Sequence, residues 1–166
     1  MAVYIALGSN LGDRRAILER ALRELATLGA AVRRRSSLFE TAPIGIPSQR
    51  PFLNAVVEVA WSGSPQVLLD ALRRVEDALG RRRDHPDGDR TCDLDLLQFD
   101  DRRIDTPTLT VPHPGMAERR FVLEPLLELA PGLLDPATGQ PYSGALASLD
   151  DQVCLLVAPP SSWGDG

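Results

Sequence analysis

The sequence has 166 residues, and a chain of this length is expected to form one domain with a hydrophobic core. Its hydrophobic share of 43% and charged share of 25% are typical of globular proteins and exclude a low-complexity chain. No apolar run approaches the roughly 18 residues of a membrane span, the N-terminus lacks a signal-peptide pattern, and the two cysteines lack metal-binding spacing. We therefore expect a cytoplasmic protein without a membrane partner.

The basic residues are unusual because all 18 are arginine. The absence of lysine excludes a P-loop lysine, a Schiff-base lysine and a lysine general base. The first 120 residues hold every arginine and 17 acids, and the six acids that follow give a net charge of −5. This charge and the 5% aromatic content argue against a nucleic-acid partner, although a local arginine cluster suits one small polyanion.

Hydrophobic spacing predicts the order β-α-β-β-α-β over the first hundred residues. The predicted strands are residues 3–7, 32–41, 53–61 and 91–100, and the predicted helices are residues 14–28 and 65–79. Asp13 is the expected N-cap of the first helix, and Ser64 with Pro65 opens the second. This order, with helices on one face of an antiparallel sheet, predicts an α+β fold with a ferredoxin-like core.

Shorter elements are predicted after residue 100, with turns around residues 105–107 and 112–115. They are helices at residues 119–129 and 143–149 and a last strand at residues 153–157. No linker divides the chain, so we predict a single domain over residues 1–158. Residues 159–166 are rich in Pro, Ser and Gly and predict a flexible tail. Nothing in the sequence demands an oligomer, and we expect a monomer.

Two carboxylates on the fourth predicted strand are the first candidates for chemistry. Because side chains alternate along a strand, Asp93 and Asp95 are expected on one face, with Leu94 and Leu96 on the other. A hard dication such as Mg²⁺ between them would remove their repulsion and would also bind substrate phosphates. The alternative is a strand edge that carries two solvated acids.

Arginines bracket the polar loop of residues 81–90 that leads to these acids. They are Arg81, Arg82, Arg83 and Arg90, and arginine forks match phosphate oxygens bidentately. A carboxylate pair beside an arginine-rich loop is typical of phosphoryl transfer, which depends mainly on positioning and charge neutralisation. The alternative is that some of the arginines at positions 81–83 only cap the preceding helix.

Two further pairs lie near turns and loops. His113 stands between two prolines that fix its direction, and Arg119 and Phe121 follow at alternate positions. Phe52 and Asn54 follow a proline-rich loop at residues 42–51, where an aromatic ring and an amide suit a flat heterocycle. The simpler interpretations are an exposed histidine, a surface arginine and two core phenylalanines, and Asn10 is equally compatible with a plain turn residue.

Five segments together resemble the 6-hydroxymethyl-7,8-dihydropterin pyrophosphokinase family. They follow one another in order and extend to about residue 131. The segments are Ala6-Leu7-Gly8-Ser9-Asn10-Leu11-Gly12, Phe52-Leu53-Asn54-Ala55, Arg90-Thr91-Cys92-Asp93-Leu94-Asp95-Leu96-Leu97, Leu109-Thr110-Val111-Pro112-His113-Pro114 and Arg119-Arg120-Phe121.

The resemblance implies transfer of a pyrophosphoryl group from ATP to the hydroxymethyl group of the pterin, a step of folate synthesis that releases AMP. It implies two Mg²⁺ ions on Asp93 and Asp95, which act in catalysis together with Arg81 and Arg90. The implied ATP contacts are Glu76, Arg81, Arg83, Arg90, His113 and Arg119. The implied pterin contacts are Asn10, Thr41, Phe52, Asn54, Arg119 and Phe121.

The sequence departs from the family pattern at three places. The loop before Arg90 usually carries a tryptophan and then Gly-Pro, whereas here residues 84–89 read Asp-His-Pro-Asp-Gly-Asp. Pro114 stands where an aromatic residue is common, and Arg73 stands where the second helix often has glutamine.

Two other classes of protein compete with this interpretation. A non-catalytic ferredoxin-like regulator or RNA-binding module would show a basic, aromatic sheet face, whereas the fourth strand carries acids. A two-metal phosphodiesterase or nucleotidyltransferase would be expected to need additional acidic ligands. The products separate the last class from a pyrophosphokinase, which yields AMP and a pterin diphosphate.

Overall fold

The computed structural model describes residues 2–81 and 88–164. The strands are β1 (Val3–Ser9), β2 (Ala31–Arg35), β3 (Leu38–Thr41), β4 (Phe52–Ala60), β5 (Asp93–Phe99), β6 (Ile104–Asp105), β7 (Thr110–Val111) and β8 (Cys154–Ala158). The helices are α1 (Arg14–Thr27), α2 (Pro65–Ala78), α3 (Arg120–Leu129) and α4 (Tyr142–Leu146). Within the described residues, no helix is both long enough and apolar enough to cross a bilayer.

Six strands form one antiparallel sheet in the order β5-β1-β4-β3-β8, and β2 also pairs with β4. The fourth, first, third and second strands of the predicted core are thus neighbours, and the predicted ferredoxin-like α+β fold is confirmed. The predicted strand of residues 32–41 is split at Ser36. The hydroxyl of Ser36 accepts a hydrogen bond from Val56 N at 2.9 Å, where a backbone carbonyl would otherwise accept.

Local signals place the two helices on one face of this sheet. Asp13 accepts a hydrogen bond from Ala16 N at 3.1 Å, and Ser64 accepts one from Val67 N at 3.2 Å, so both predicted N-caps are present. Alternating apolar residues of β1, β4 and β5 pack against α1 and α2 in a closed core. Its central members include Val3, Ile5, Leu7, Leu18, Leu25, Leu53, Val57, Leu68, Leu72, Leu94 and Leu96.

The opposite face is covered by α3 and α4 over only part of its area. Side chains that alternate with the first core meet these helices in a second, smaller core. Its buried members are Tyr4, Val56, Leu97, Met116, Val122, Leu123, Leu126 and Tyr142. Toward the start of β4 and β5 this face carries polar side chains and opens into a cleft.

The end of the chain corrects the prediction of a flexible tail. Trp163 is fully buried in the first core, and its indole Nε1 donates a hydrogen bond to Ser36 O at 2.8 Å. Arg35 Nε donates a hydrogen bond to Pro160 O, in the same segment, at 2.8 Å. Residues 159–164 therefore pack on the sheet, and residues 165–166 lie outside the described part. The sequence pattern also does not predict β6 and β7, because two-residue strands are too short to show a periodicity.

Candidate active site

A cleft of about 430 Å³ opens where β1 and β3 end and where β4 and β5 begin. Ten of the residues singled out from the sequence line it, although they come from five separate segments. They are Thr41, Phe52, Asn54, Arg81, Arg90, Asp93, Asp95, His113, Arg119 and Phe121. Residues 42, 44, 45 and 46 of the proline-rich loop add to the wall.

Gly8 lines the cleft, although the predicted first strand of residues 3–7 ends before it. It lies inside β1, opposite Asn54 on β4 and Asp93 on β5. A Cβ atom at this position would lie 2.9 Å from Asn54 Oδ1 and 3.7 Å from a ring carbon of Phe52. Glycine therefore leaves the space between the amide and the carboxylate open. A glycine inside an apolar strand is the signal that could have identified it.

Asp93 and Asp95 lie on the cleft face of β5, whereas Leu94 and Leu96 lie in the first core. The predicted alternation is therefore present. No third His, Cys, Asp or Glu completes a metal cluster within the described ranges 2–81 and 88–164. Two carboxylates and no soft ligand suit Mg²⁺, which is usually bound by one or two carboxylates and completed by water and substrate phosphates. The donor set thus fits an open magnesium site.

Arg81 and Arg90 are the predicted phosphate-binding arginines that the structure describes, and both point at these acids. Arg81 Nη1 contacts Asp93 Oδ1 closely and donates to Glu76 Oε2 at 2.6 Å, so Arg81 does not merely cap α2. Burial disfavours the charge on Arg81, but Asp93 and Glu76 outweigh it and raise the pKa of its guanidinium. Arg90 Nη1 lies 3.8 Å from Asp93 Oδ2. Both oxygens of Asp93 therefore face positive charge.

Asp95 and His113 form the other half of this cluster. Burial, together with the negative charges of Asp93 and Glu76, raises the pKa of Asp95 to about 7. His113 Nε2 lies 3.8 Å from Asp95 Oδ1, and burial and nearby Arg119 lower the pKa of the imidazole. His113 N donates to Leu97 O at 2.8 Å, which ties the turn to β5. The histidine is thus held against the carboxylates and is not a freely exposed turn residue.

The remainder of the cleft offers amide, hydroxyl and aromatic groups. Asn54 Nδ2 donates to Thr41 Oγ1 at 2.5 Å, and both residues are buried. The guanidinium of Arg90 lies 5.9 Å from the ring centre of Phe52, and that of Arg119 lies 5.9 Å from the ring centre of Phe121. These distances are within the range of cation–π contacts. The cleft wall therefore combines polar and charged groups with two aromatic rings.

Three residues of the predicted site do not line the cleft. Glu76 is buried behind Arg81 and accepts a hydrogen bond from Leu94 N at 2.9 Å, so it orients side chains rather than facing the opening. Asn10 is buried, and its Oδ1 accepts a hydrogen bond from Arg90 N at 2.7 Å, while its predicted contact with the substrate stays a prediction. Arg83, together with residues 84–87 of the loop that precedes Arg90, lies outside the described residues.

A second cavity of about 260 Å³ adjoins the cleft and shares Asp95 and His113 with it. Its other walls are mostly apolar side chains and threonines. They are Leu69, Leu94, Leu96, Leu109, Thr106, Thr108, Thr110, Pro107 and Pro114. The sequence carries no motif for this cavity, because its walls come together only when β6 and β7 pair beside β5.

Comparison with known proteins agrees with the family resemblance of the sequence motifs. The family model for 7,8-dihydro-6-hydroxymethylpterin-pyrophosphokinase matches residues 4–131. A 2-amino-4-hydroxy-6-hydroxymethyldihydropteridine pyrophosphokinase of Bacillus subtilis is 46% identical over 136 residues, which is 81% of each chain. The protein of the same name from Methylorubrum extorquens is 40% identical over 148 residues, 89% of this chain and 92% of that protein.

A solved structure described as HPPK-DHPS in complex with substrates shares the fold, with a TM-score of 0.74 and 13% identity. The match covers 90% of this chain and 43% of that chain, so the present chain spans less than half of it. The resemblance noted from the sequence motifs is confirmed, and the regulator and phosphodiesterase interpretations are not. The chain is an enzyme, a pyrophosphokinase of folate synthesis, and belongs to the 7,8-dihydro-6-hydroxymethylpterin-pyrophosphokinase family.

Proposed function

We propose that the enzyme uses Mg²⁺ and ATP to pyrophosphorylate the hydroxymethyl oxygen of 6-hydroxymethyl-7,8-dihydropterin, with AMP as the second product. One observation carries the proposal. Asp95 and His113 line both cavities, with Asp93, Arg81 and Arg90 beside them. A group transferred between two substrates must lie where their binding sites meet, and this junction is where the cationic and carboxylate groups are concentrated.

The larger cleft is the proposed pterin site. The pterin is a flat heterocycle with hydrogen-bonding edges, and Phe52 and Phe121 supply aromatic surfaces on the cleft wall. Asn54 and Thr41 supply an amide and a hydroxyl on the same side. Gly8 leaves room for an edge of the ring to approach Asn54. The cleft volume is in the usual range for small-molecule sites.

The second cavity is the proposed site of the nucleoside. Its leucines provide an apolar surface for a base, and Thr106, Thr108 and Thr110 provide polar groups at its edge. A triphosphate that leaves this cavity toward the pterin passes His113 and Asp95 first and then reaches Arg81 and Arg90. Pro114 on this wall replaces the aromatic residue that the family often has.

The proposed reaction is an in-line displacement at the β-phosphorus of ATP. A bond forms from the hydroxymethyl oxygen to this phosphorus, and the proton of that hydroxyl passes to solvent. The bond to the oxygen that bridges the α- and β-phosphates breaks, and AMP leaves with the bonding electron pair. Bound Mg²⁺, held by Asp93 and Asp95, would neutralise phosphate charge and polarise the phosphoryl oxygens. Arg81 and Arg90 orient the phosphates and compensate charge, and His113 donates a hydrogen bond to a phosphate oxygen. Most of the rate enhancement is then expected from positioning and electrostatics.

The products test this proposal directly. The protein is incubated with ATP, Mg²⁺ and the hydroxymethyl dihydropterin, and the nucleotides and pterins are separated by chromatography. We expect AMP and pterin diphosphate in equal amounts, and no product when Mg²⁺ is removed with a chelator. Formation of ADP, or of free pyrophosphate without pterin diphosphate, would contradict it. The cytoplasmic location, the monomeric state and the lack of a nucleic-acid partner stay predictions.

A further inference from the structure

Three loops border the mouth of the cleft, and one buried carboxylate lies between them. The loops follow β1, precede β4 and precede β5. Asp89, in the third loop, is only 2% exposed. It occupies the position where the family pattern usually has proline. A buried carboxylate is costly unless it is paired and hydrogen-bonded, so its partners indicate what it holds together.

The carboxylate of Asp89 contacts both of the other loops. Its Oδ1 accepts a hydrogen bond from Asn10 Nδ2 at 2.8 Å. Its Oδ2 lies 3.4 Å from Arg50 Nη1, and Asn10 Nδ2 also lies 3.4 Å from Arg50 O. The three residues are 39 to 79 positions apart in the sequence. Asp89 therefore links segments that no local structure would keep together.

The link continues directly to Arg90. Asn10 donates its backbone N–H to Arg90 O at 3.1 Å and accepts from Arg90 N at 2.7 Å through its side chain. The peptide of Arg90 is thus fixed on both sides by Asn10, which Asp89 in turn orients. The guanidinium of Arg90 extends from this point over Phe52 and toward Asp93.

A second contact, which involves no charged group, joins the segment before Arg90 to the loop of residues 42–51. Gly88 has a φ of +77° and packs directly on Ile46, since a Cβ atom at position 88 would lie 2.8 Å from Ile46 Cβ. Ile46 lines the cleft. The segment before Arg90 is therefore joined to the loop of residues 42–51 at two adjacent positions, through Gly88 and through Asp89.

We infer that Asp89 is a positioning residue that fastens the Arg90 segment to the loop of residues 42–51. It thereby couples occupation of the aromatic side of the cleft to the placement of Arg90 on the phosphates. The inference rests on the proposed function, because it uses the proposed roles of Arg90 and of the cleft. Proline at position 89 would restrict the backbone but could not make either side-chain contact, so the link belongs to this chain and not to the family pattern.

The kinetic test compares Asp89→Ala, Asp89→Asn and Arg50→Ala with Asp101→Ala, an exposed acid in a turn outside the cleft. We expect Asp89→Ala to lower kcat/KM about tenfold, as expected for loss of a charged hydrogen-bond partner. Asp89→Asn can still accept from Asn10 and should lose less. Arg50→Ala should lose less again, and the double variant Asp89→Ala/Arg50→Ala should resemble Asp89→Ala alone. Asp101→Ala should match wild type.

A binding measurement separates positioning from simple loss of stability. The affinity for the hydroxymethyl dihydropterin is measured by calorimetry with and without a non-hydrolysable ATP analogue and Mg²⁺. We expect the analogue to change pterin affinity in wild type, to change it less in Asp89→Asn and to change it least in Asp89→Ala, because coupling between sites is reciprocal and passes through the link. Amide exchange should also accelerate in residues 43–50 of Asp89→Asn, on the far side of the contact.

Two outcomes overturn different statements. Wild-type kcat/KM and wild-type coupling in Asp89→Asn and Arg50→Ala, while Arg90→Ala is inactive, would overturn the role of Asp89 and leave the proposed function intact. An Arg90→Ala variant with full activity would overturn the proposed role of Arg90 itself. If Asp89→Ala fails to fold, the Asp89→Asn results decide the question, since that variant keeps the size and shape of the side chain.

Discussion

The two faces of the central sheet differ in how completely helices cover them. On one face, α1 and α2 cover β1, β4 and β5 and enclose a continuous apolar core. On the other face, α3 packs mainly on β4, and the start of β5 is left open. The same strands supply both faces, so alternate residues of one strand belong to a closed core and to an open cleft.

Polar side chains are tolerated on the face that the helices leave open. Along β5, Leu94 and Leu96 enter the closed core, whereas Asp93 and Asp95 enter the cleft. On β4, Leu53 and Ala55 likewise enter the closed core, whereas Phe52 and Asn54, which alternate with them, enter the cleft. The closed face is therefore expected to determine stability and the open face to determine activity, and substitutions on each face test this division.

The largest effect on stability is expected on the closed face. Leu72 is fully buried on α2, and Leu72→Ala should lower the free energy of unfolding by about 2–5 kcal/mol through lost burial and a residual cavity. The rate per folded molecule should not change. Denaturant unfolding and turnover at a temperature where the variant is folded provide the measurements. Val67→Ala, on the exposed side of the same helix, is the control and should cost about 0.5 kcal/mol or less.

The largest effect on activity is expected on the open face. Asp95→Ala should lower turnover by at least ~100-fold, about 2.7 kcal/mol of barrier, because a proposed metal ligand is lost. The free energy of unfolding should stay constant or rise, since a like-charge neighbour of Asp93 is removed. Exposed Asp105→Ala is the matched control. Turnover close to wild type in Asp95→Ala would refute the metal assignment.

A pair of phenylalanines compares the two faces with the same substitution. Phe121 is partly exposed on the cleft wall, and Phe121→Ala should weaken pterin binding on the order of tenfold while ATP affinity stays constant. Phe99 is buried in the closed core, and Phe99→Ala should instead cost ~3–5 kcal/mol of stability. Calorimetric titration and thermal unfolding of both variants distinguish a pterin-binding role from a core role. A large stability loss with unchanged pterin affinity in Phe121→Ala would make Phe121 a core residue.

The last expected effect is a pH dependence of stability in protein without metal. Because the pKa of Asp95 is raised to about 7, the folded protein keeps a proton that the unfolded chain has already lost above about pH 4. The proton held by Asp95 therefore stabilises the folded protein at low pH. This contribution to the free energy of unfolding is lost as the pH rises from about 4 to 7. Asp95→Asn lacks the titration, so its stability relative to wild type should increase over that interval. Urea unfolding at pH 5 and pH 8 with a chelator measures the difference, and a constant difference would contradict the raised pKa.

Much of this arrangement could be predicted because it follows from local rules. The alternation of Asp93 and Asp95 with leucines needs only the period of a strand, and Asp13 and Ser64 need only the chemistry of helix N-termini. The proline-rich loop and the pair Phe52 and Asn54 also come from short segments. Ten of the thirteen predicted site residues line one cleft, and several of these, such as Thr41 and Arg119, were implied by the family resemblance and not by local rules.

The remaining features depend on contacts between distant segments. The side chain of Asn10 forms hydrogen bonds with Arg90 and Asp89, about 80 positions away. Glu76 lies behind Arg81 because α2 packs against β5. Trp163 is buried against Ser36, 127 positions earlier, although its surrounding sequence is typical of a flexible tail. Periodicity and composition contain no information on such pairs.

The positions of the tryptophans determine what the intrinsic fluorescence of this protein can report. The sequence has two, and the family's usual loop tryptophan is absent. Trp163 is fully buried beside Ser36, and Trp61 donates its indole N–H to Ser64 O at 3.0 Å near the start of α2. Neither lines either of the two cavities. Tryptophan emission is therefore a probe of unfolding and of detachment of the C-terminal segment, and it should respond little to ligands, whose binding is better followed through the absorbance of the pterin itself.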